Sequence, residues 1–189
     1  MTNKIIGIQG DKLDKINISS DTSIFLAHEA QKLGYKIFYY TPSNLSIIKN
    51  KTYANGVFVK FNYERKKFYK IYKKQKIDVE NLKFILIRQD PPFNSEYLIT
   101  TLILDDLKKA KVINNPTAIR NVSEKLYSKH FIKFMPNTLF SNNIEEIKKF
   151  YKQNKSMIMK PINGYGGNQI HLIKNKFNKK LITNFLNKN

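Results

Sequence analysis

The sequence predicts an α/β fold in two consecutive domains, residues 1–121 and residues 122–189. Three observations carry that expectation. Strand-like and helix-like segments alternate through the first half, the pattern of a layered α/β domain. Asn115-Pro116-Thr117 then breaks the pattern. Beyond the break, two helix-like segments lead into a strand, a glycine-rich loop and a returning strand. A chain of 189 residues holds one ordinary domain or two small ones, because single cores form at about 100 to 150 residues.

Residues 4–8 read as the first strand, on Ile5, Ile6 and Ile8. Asp21 can cap a following helix through its side-chain oxygen; Leu26, Ala30 and Leu33 give that helix an apolar stripe, and Gly34 ends it. Residues 35–40 form the second strand. Tyr53, Val57, Val59 and Phe61 surround Asn55-Gly56, a strong turn dipeptide, and predict a β-hairpin within residues 45–61. The lysine and tyrosine run at 63–76 is expected to be an exposed connection or helix without chemistry.

Phe84-Ile85-Leu86-Ile87 is short, apolar and bounded by charges, as a buried strand is. It delivers Arg88, Gln89 and Asp90 to its carboxyl end, where ligands usually sit in open α/β sheets. Pro91-Pro92 stops the strand and stiffens the loop. Residues 95–110 are predicted helical, with Ile99, Ile103, Leu107 and Ala110 on one face, and Val112-Ile113 begins another strand.

In the second part, Asn121 and Glu124 form an asparagine version of a capping box for a helix carrying Lys125, Leu126 and His130. Another helix follows Ser141-Asn142-Asn143, with Ile144, Ile147, Phe150 and Tyr151 at helical spacing. Residues 156–160 are a strand, 161–168 a glycine-rich loop and 169–173 a returning strand. The sequence contains no repeats.

Composition excludes several classes. The chain has no cysteine, so disulfides, thiol nucleophiles and cysteine-based metal or iron-sulfur sites are ruled out. No apolar run is long enough to span a bilayer, and the apolar stretch within residues 1–10 is too short for a signal peptide. A cytoplasmic setting fits. The formal charge of +20 points at face value to a polyanion. Of the 34 basic residues, however, only Arg65, Arg88 and Arg120 are arginine, whereas surfaces that read bases favour the bidentate guanidinium. With lysine, asparagine and isoleucine abundant throughout, the charge reads as compositional drift on solvated faces rather than a nucleic-acid surface. His28, His130 and His171 match no metal-ligand or triad spacing and read as structural.

The sharpest chemical signal is Met159-Lys160-Pro161-Ile162-Asn163-Gly164-Tyr165-Gly166-Gly167. Glycines let backbone N–H groups approach an anion and adopt positive φ, and the adjacent lysine supplies a compact charge for phosphate. The segment is neither a Walker A loop nor a dinucleotide fingerprint, because a strand rather than a helix follows it. A tight glycine hairpin without a ligand is the other reading of this segment.

Four segments in order resemble the bacterial glutathione synthetases of the ATP-grasp superfamily. They are Asp21-Thr22-Ser23, then Ile87-Arg88-Gln89-Asp90-Pro91-Pro92-Phe93, then Asn114-Asn115-Pro116 through Ile119-Arg120 to Asn121-Val122-Ser123-Glu124-Lys125-Leu126, and finally Lys160-Pro161 through Gly164-Tyr165-Gly166-Gly167. The resemblance implies a Rossmann-like N-terminal domain on the substrate side, followed by an incomplete α+β ATP-grasp domain. It matches Lys125 and Lys160 to lysines that hold nucleotide phosphates, and Gly164, Gly166 and Gly167 to the loop over the triphosphate. Arg88 and Asp90 match a motif near the dipeptide site; a structural ion pair is their other reading. A solvated helix lysine is the other reading of Lys125.

The implied reaction joins γ-glutamylcysteine and glycine at the expense of ATP, through an acyl phosphate, giving glutathione, ADP and phosphate. The family also implies magnesium, with manganese as a substitute, and homo-oligomers. No catalytic side chain is singled out. After Lys160 the sequence has no Asp or Glu, so no metal ligand is assigned here and the ligands are expected in a C-terminal part that the chain lacks. The chain alone is therefore expected to be a poor catalyst, a fragment or one half of a split enzyme working with a second polypeptide. Gln9-Gly10-Asp11 also departs from the Asp-Pro usual in relatives. A non-catalytic nucleotide- or polyanion-binding module and a different ATP-grasp carboxylate-amine ligase are the competing functions.

Overall fold

The computed structural model describes residues 4–63 and 67–188, and the chain divides into two units, Met1–Asn121 and Val122–Asn189. Arg65 and the part of the 63–76 run at residues 64–66 lie outside the described residues.

The first unit runs β1 (Ile5–Gln9), α1 (Thr22–Lys32), β2 (Lys36–Tyr40), β3 (Leu45–Ile48), β4 (Lys51–Phe61), β5 (Tyr69–Asp78), β6 (Phe84–Ile87), α2 (Ser95–Asp105), β7 (Lys111–Ile113) and α3 (Pro116–Asn121). Its described strands form one seven-stranded mixed sheet. β1 pairs in parallel with β2 and β6, and β6 with β7, whereas β4 is antiparallel to β2, β3 and β5. Strand periodicity sends alternate side chains to opposite faces. Ile6, Ile8, Ile37 and Tyr39 pack with Ile24 and Ala27 of α1 on one side. Phe38, Tyr40, Ile85 and Ile87 pack with Leu104 of α2 on the other. Covering both faces explains why β6 is apolar without alternation. Each such side chain contributes about 1.5 to 3 kcal/mol by leaving water.

α1 begins where the sequence placed its cap: Asp21 Oδ1 accepts from the backbone N–H of Ser23 at 2.6 Å and of Ile24 at 3.2 Å. Its buried face is a correction. Ser23, Ile24 and Ala27 are buried, while Leu26 and Leu33 of the expected stripe are 45% and 70% exposed. α2 repeats the pattern. It stops at Asp105 and buries Thr100, Thr101 and Leu104, leaving Ile99 exposed. In each helix one large apolar residue, Ile24 or Leu104, is buried together with small or hydroxyl-bearing neighbours.

The predicted turn at Asn55-Gly56 is also corrected, because β4 runs straight through it. Lys49 and Asn50, both at positive φ, make the turn between β3 and β4. Gly56 serves close packing instead: a Cβ there would sit 2.5 Å from the Tyr39 carbonyl oxygen. The described residues from Tyr69 onward in the lysine run form β5, paired with β4 along its length. Asn115-Pro116 opens α3, with Asn115 Oδ1 accepting from Ala118 N at 2.8 Å.

The second unit holds a 3-10 segment Leu126–Phe134, then α4 (Ile144–Asn154), β8 (Met157–Met159), β9 (His171–Ile173) and α5 (Lys179–Lys188). β8 and β9 pair antiparallel, and Ile147, Met157, Met159, Ile173 and Ile182 form the core. The predicted capping box is not formed. Asn121 ends α3, and the turns after Lys125 are 3-10 with no side-chain cap. Asn143 caps α4, accepting from Glu145 N at 2.9 Å and Glu146 N at 3.3 Å. α5 was not anticipated from the sequence; Asn178 Oδ1 accepts from Leu181 N at 3.0 Å, and Ile182 is fully buried. Among the described residues no helix is long and apolar enough to cross a membrane.

Candidate functional site

Each unit presents one candidate region. In the first unit, β1 and β6 run in parallel with Gln9 opposite Ile87, so the polar residues that follow the two strands emerge side by side. Arg88 donates from Nε to Ser23 Oγ at 3.0 Å and from an Nη to Thr22 Oγ1 at 2.7 Å. No ion pair joins Arg88 to Asp90 among the described residues, so the structural-pair reading does not describe them. Gln89 is buried and accepts from Gln9 Nε2 at 2.7 Å. The backbone N–H of Asp90 donates to Asp11 Oδ2 at 2.8 Å.

The charges around Asp90 are mostly negative. Its carboxyl is held above the ordinary aspartate range, first by loss of water and then by Asp11 and Asp21, with Arg88 pulling the other way. The same carboxylates add to burial in raising the Tyr39 phenol. Gln9, Asp11, Thr22 and Ser23 are thus part of this region, although the sequence reading assigned them no site role. Their signal was their position: Gln9 ends β1, Asp11 follows it, and Thr22 and Ser23 open α1, while parallel pairing sets the end of β1 beside the end of β6.

In the second unit, Lys160 directly follows β8 and is exposed, and it forms no ion pair among the described residues. Lys125 reaches across 39 residues: its Nζ donates to the Gly164 carbonyl, and Glu124 Oε1 lies 3.7 Å away. Its side chain is only 20% exposed, so it is not the solvated helix lysine of the alternative reading. Gly164 has no room for a Cβ against the Pro161 ring, and Gly166 and Gly167 take φ of +59° and +76°. The loop therefore needs glycine at all three positions, for space at the first and backbone conformation at the others. Lysine charge and open glycine backbone together suit a phosphate group.

Cavities of about 600 Å³ and 400 Å³ lie in the first and second units; the first is lined in part by Lys12, Tyr39, Lys74 and Lys76, the second by His171, Lys180 and Phe185, and neither is lined by Arg88, Asp90, Lys125, Lys160 or the loop glycines. The histidines make local contacts: His28 Nδ1 is 3.3 Å from the Phe61 carbonyl, and the rings of His130 and His171 pack on Tyr127 and Phe185. Among the described residues no three His, Asp or Glu side chains gather as metal ligands do. The described residues therefore do not assemble a three-ligand site for magnesium or manganese.

Residues 5–120 match the family profile described as the prokaryotic glutathione synthetase N-terminal domain. Residues 124–189 match the one described as the prokaryotic glutathione synthetase ATP-grasp domain. The chain is 36% identical over 163 residues to a glutathione synthetase of Mesorhizobium japonicum, covering 86% of this chain and 52% of that protein. A glutathione synthetase of Buchnera aphidicola subsp. Acyrthosiphon pisum is 35% identical over 171 residues, covering 89% of this chain and 53% of that protein. The fold is similar to a solved structure of D-alanyl-alanine synthetase A from Vibrio cholerae, with a TM-score of 0.55 at 15% identity, over 99% of this chain and 56% of that one. The chain thus spans about half the length of the curated relatives it matches. With both profiles matched in order along nearly all of its length, it belongs to the prokaryotic glutathione synthetase family.

Proposed function

We propose that this chain carries the dipeptide-side domain and the triphosphate-binding loop of an ATP-dependent ligase that joins γ-glutamylcysteine to glycine in the cytoplasm. The observation that carries this reading is the contact between Lys125 Nζ and the Gly164 carbonyl. It draws a lysine from the start of the second unit onto the one loop whose glycines open its backbone to an anion. Arg88 and Asp90 are assigned to the dipeptide, Lys125 and Lys160 to nucleotide phosphates, and Gly164, Gly166 and Gly167 to the flexible cover over them.

In the reaction, the dipeptide carboxylate attacks the γ-phosphorus and ADP departs. The glycine amine then adds to the acyl phosphate and expels inorganic phosphate, leaving the amide. Such phosphoryl transfer rests on positioning and charge stabilisation rather than on a protein nucleophile. A bound magnesium ion would neutralise phosphate charge. Because the residues present do not form its site, the chain by itself is assigned binding rather than efficient turnover. The rest of the fold, from a second polypeptide or from other residues of the same protein, would supply the metal ligands.

Calorimetric titration with ATP tests this reading. The chain should bind ATP, and Lys125→Gln and Lys160→Gln should each weaken binding by about tenfold, the loss of about 1.4 kcal/mol of charge-assisted contact. ATP binding by both variants as tight as that of the wild type would overturn the assignment. Rapid glutathione formation by the purified chain alone would remove the division of labour.

A further inference from the structure

We infer that Asp11, in the turn after β1, is a positioning residue for the ligand end of β6, acting through the backbone amide of Asp90; this rests on the assignment of Arg88 and Asp90 to the dipeptide. Asp11 is itself firmly held. Gly10 donates its N–H to the Tyr40 carbonyl at 3.0 Å, and the Tyr39 hydroxyl donates to the Asp11 carbonyl at 2.6 Å. A side chain at position 10 would run into that hydroxyl, so only glycine lets the turn lie this close to β2. The backbone of Asp11 is thereby fixed to β2, and its carboxylate reaches 79 residues along the sequence to accept the Asp90 N–H at 2.8 Å.

The two residues before Asp90 are fastened independently. Arg88 donates its backbone N–H to the Gln9 carbonyl at 2.7 Å, and the buried side chains of Gln9 and Gln89 pair at 2.7 Å. Asp90 differs, because its side chain has no hydrogen-bond or ion-pair partner among the described residues and is exposed. Its one tie is the backbone bond to Asp11. Removing that tie frees Asp90 while leaving Arg88 and Gln89 in place. A ligand-contacting group works only when its own conformation is locked by surrounding bonds, so Asp11 sets how often Asp90 is available in the right place.

The acceptor oxygen, not the charge, does this work, which separates the role from simple electrostatics. Asp11→Asn keeps an acceptor for the Asp90 amide, and Asp11→Ala removes it. Amide hydrogen exchange by NMR, without ligand, should show the Asp90 N–H exchanging about tenfold faster in Asp11→Ala and within about threefold of the wild type in Asp11→Asn. Calorimetry with γ-glutamylcysteine should give the same order, about tenfold weaker binding for alanine and restoration by asparagine. The thermal midpoint of each variant reports whether the unit is still folded. Unchanged Asp90 exchange in Asp11→Ala, or asparagine no better than alanine, overturns the inference. If the wild type does not bind the dipeptide, the assignment of this end to the dipeptide fails, and the exchange measurement still decides whether Asp11 holds the amide.

Discussion

The carboxyl end of β6 and the glycine loop after β8 present polar groups in opposite ways. Arg88, Gln89 and Asp90 are tied by side chains or backbone drawn from β1, α1 and the turn after β1, at sequence separations of 65 to 80 residues. The glycine loop is closed by local bonds, Gly164 N to the Pro161 carbonyl at 3.2 Å and Asn168 N to the Tyr165 carbonyl at 3.1 Å, with Lys125 as its long-range tie. The first region is shaped by the fold before any ligand arrives. The second rests on Gly166 and Gly167, whose positive φ glycine adopts without steric cost; the proposed function makes it the cover over the phosphates.

Breaking the support beneath β6 should have the largest effect. Ile85 is fully buried among Phe38, Tyr40 and Leu104, so Ile85→Ala removes apolar contacts and leaves a void. Urea denaturation should show a loss of about 2 to 5 kcal/mol. A loss below about 1 kcal/mol would mean that the sheet repacks and that the end of β6 is less fixed than its bonds indicate.

The same contrast explains what the sequence could and could not reveal. Asp21, Asn143 and the glycine loop were legible because a cap or a positive φ is decided within a few residues. Phe84-Ile85-Leu86-Ile87 was legible because a strand covered on both faces must be apolar throughout. Asn55-Gly56 misled because the turn went to Lys49-Asn50, while close approach to Tyr39 used the glycine inside β4. β5 was missed because Lys70 to Lys76 are exposed on both of its faces, so no alternation marks it; its lysines suit an edge strand. The helix faces misled because Thr100, Thr101 and Ser23 are buried while Ile99 and Leu26 are not. At the candidate site, Arg88 and Asp90 stood out locally, but Asp11, Thr22 and Ser23 join them only through parallel pairing.

A smaller effect sharpens the view that the first unit fastens its loops with distant side chains. Glu80 accepts the backbone N–H groups of Lys108, Lys109 and Ala110 at 2.7, 2.7 and 3.0 Å. Partial burial alone would raise its carboxyl, but those three donors and the charge of Lys109 outweigh it and hold it below the ordinary range. A depressed folded value gives stability that is complete above the unfolded carboxylate range and is lost as pH falls through the folded value. Glu80→Gln should therefore cost about 1 kcal/mol near neutral pH, a modest figure because solvent screens the group. The gap should close as pH falls through the depressed range of the folded carboxyl. A gap that persists in acid would assign the effect to shape rather than charge.

The smallest stability effect is expected in the loop, and there the ratio of two measurements matters more than either alone. Gly167 has φ of +76° and nothing within 4 Å of where a Cβ would lie. Gly167→Ala should thus cost only the conformational term, about 1 kcal/mol or less, whereas Gly164→Ala would also press on the Pro161 ring. If the loop were only a tight turn, its substitution would be felt in unfolding and ATP binding would stay as in the wild type. A loop that moulds its backbone onto phosphates loses more in binding than in stability, because each retained conformer of alanine presents the N–H of residue 167 less often in the direction of the anion. ATP affinity reduced about tenfold with a nearly unchanged denaturation midpoint would therefore mark the loop as built for closure.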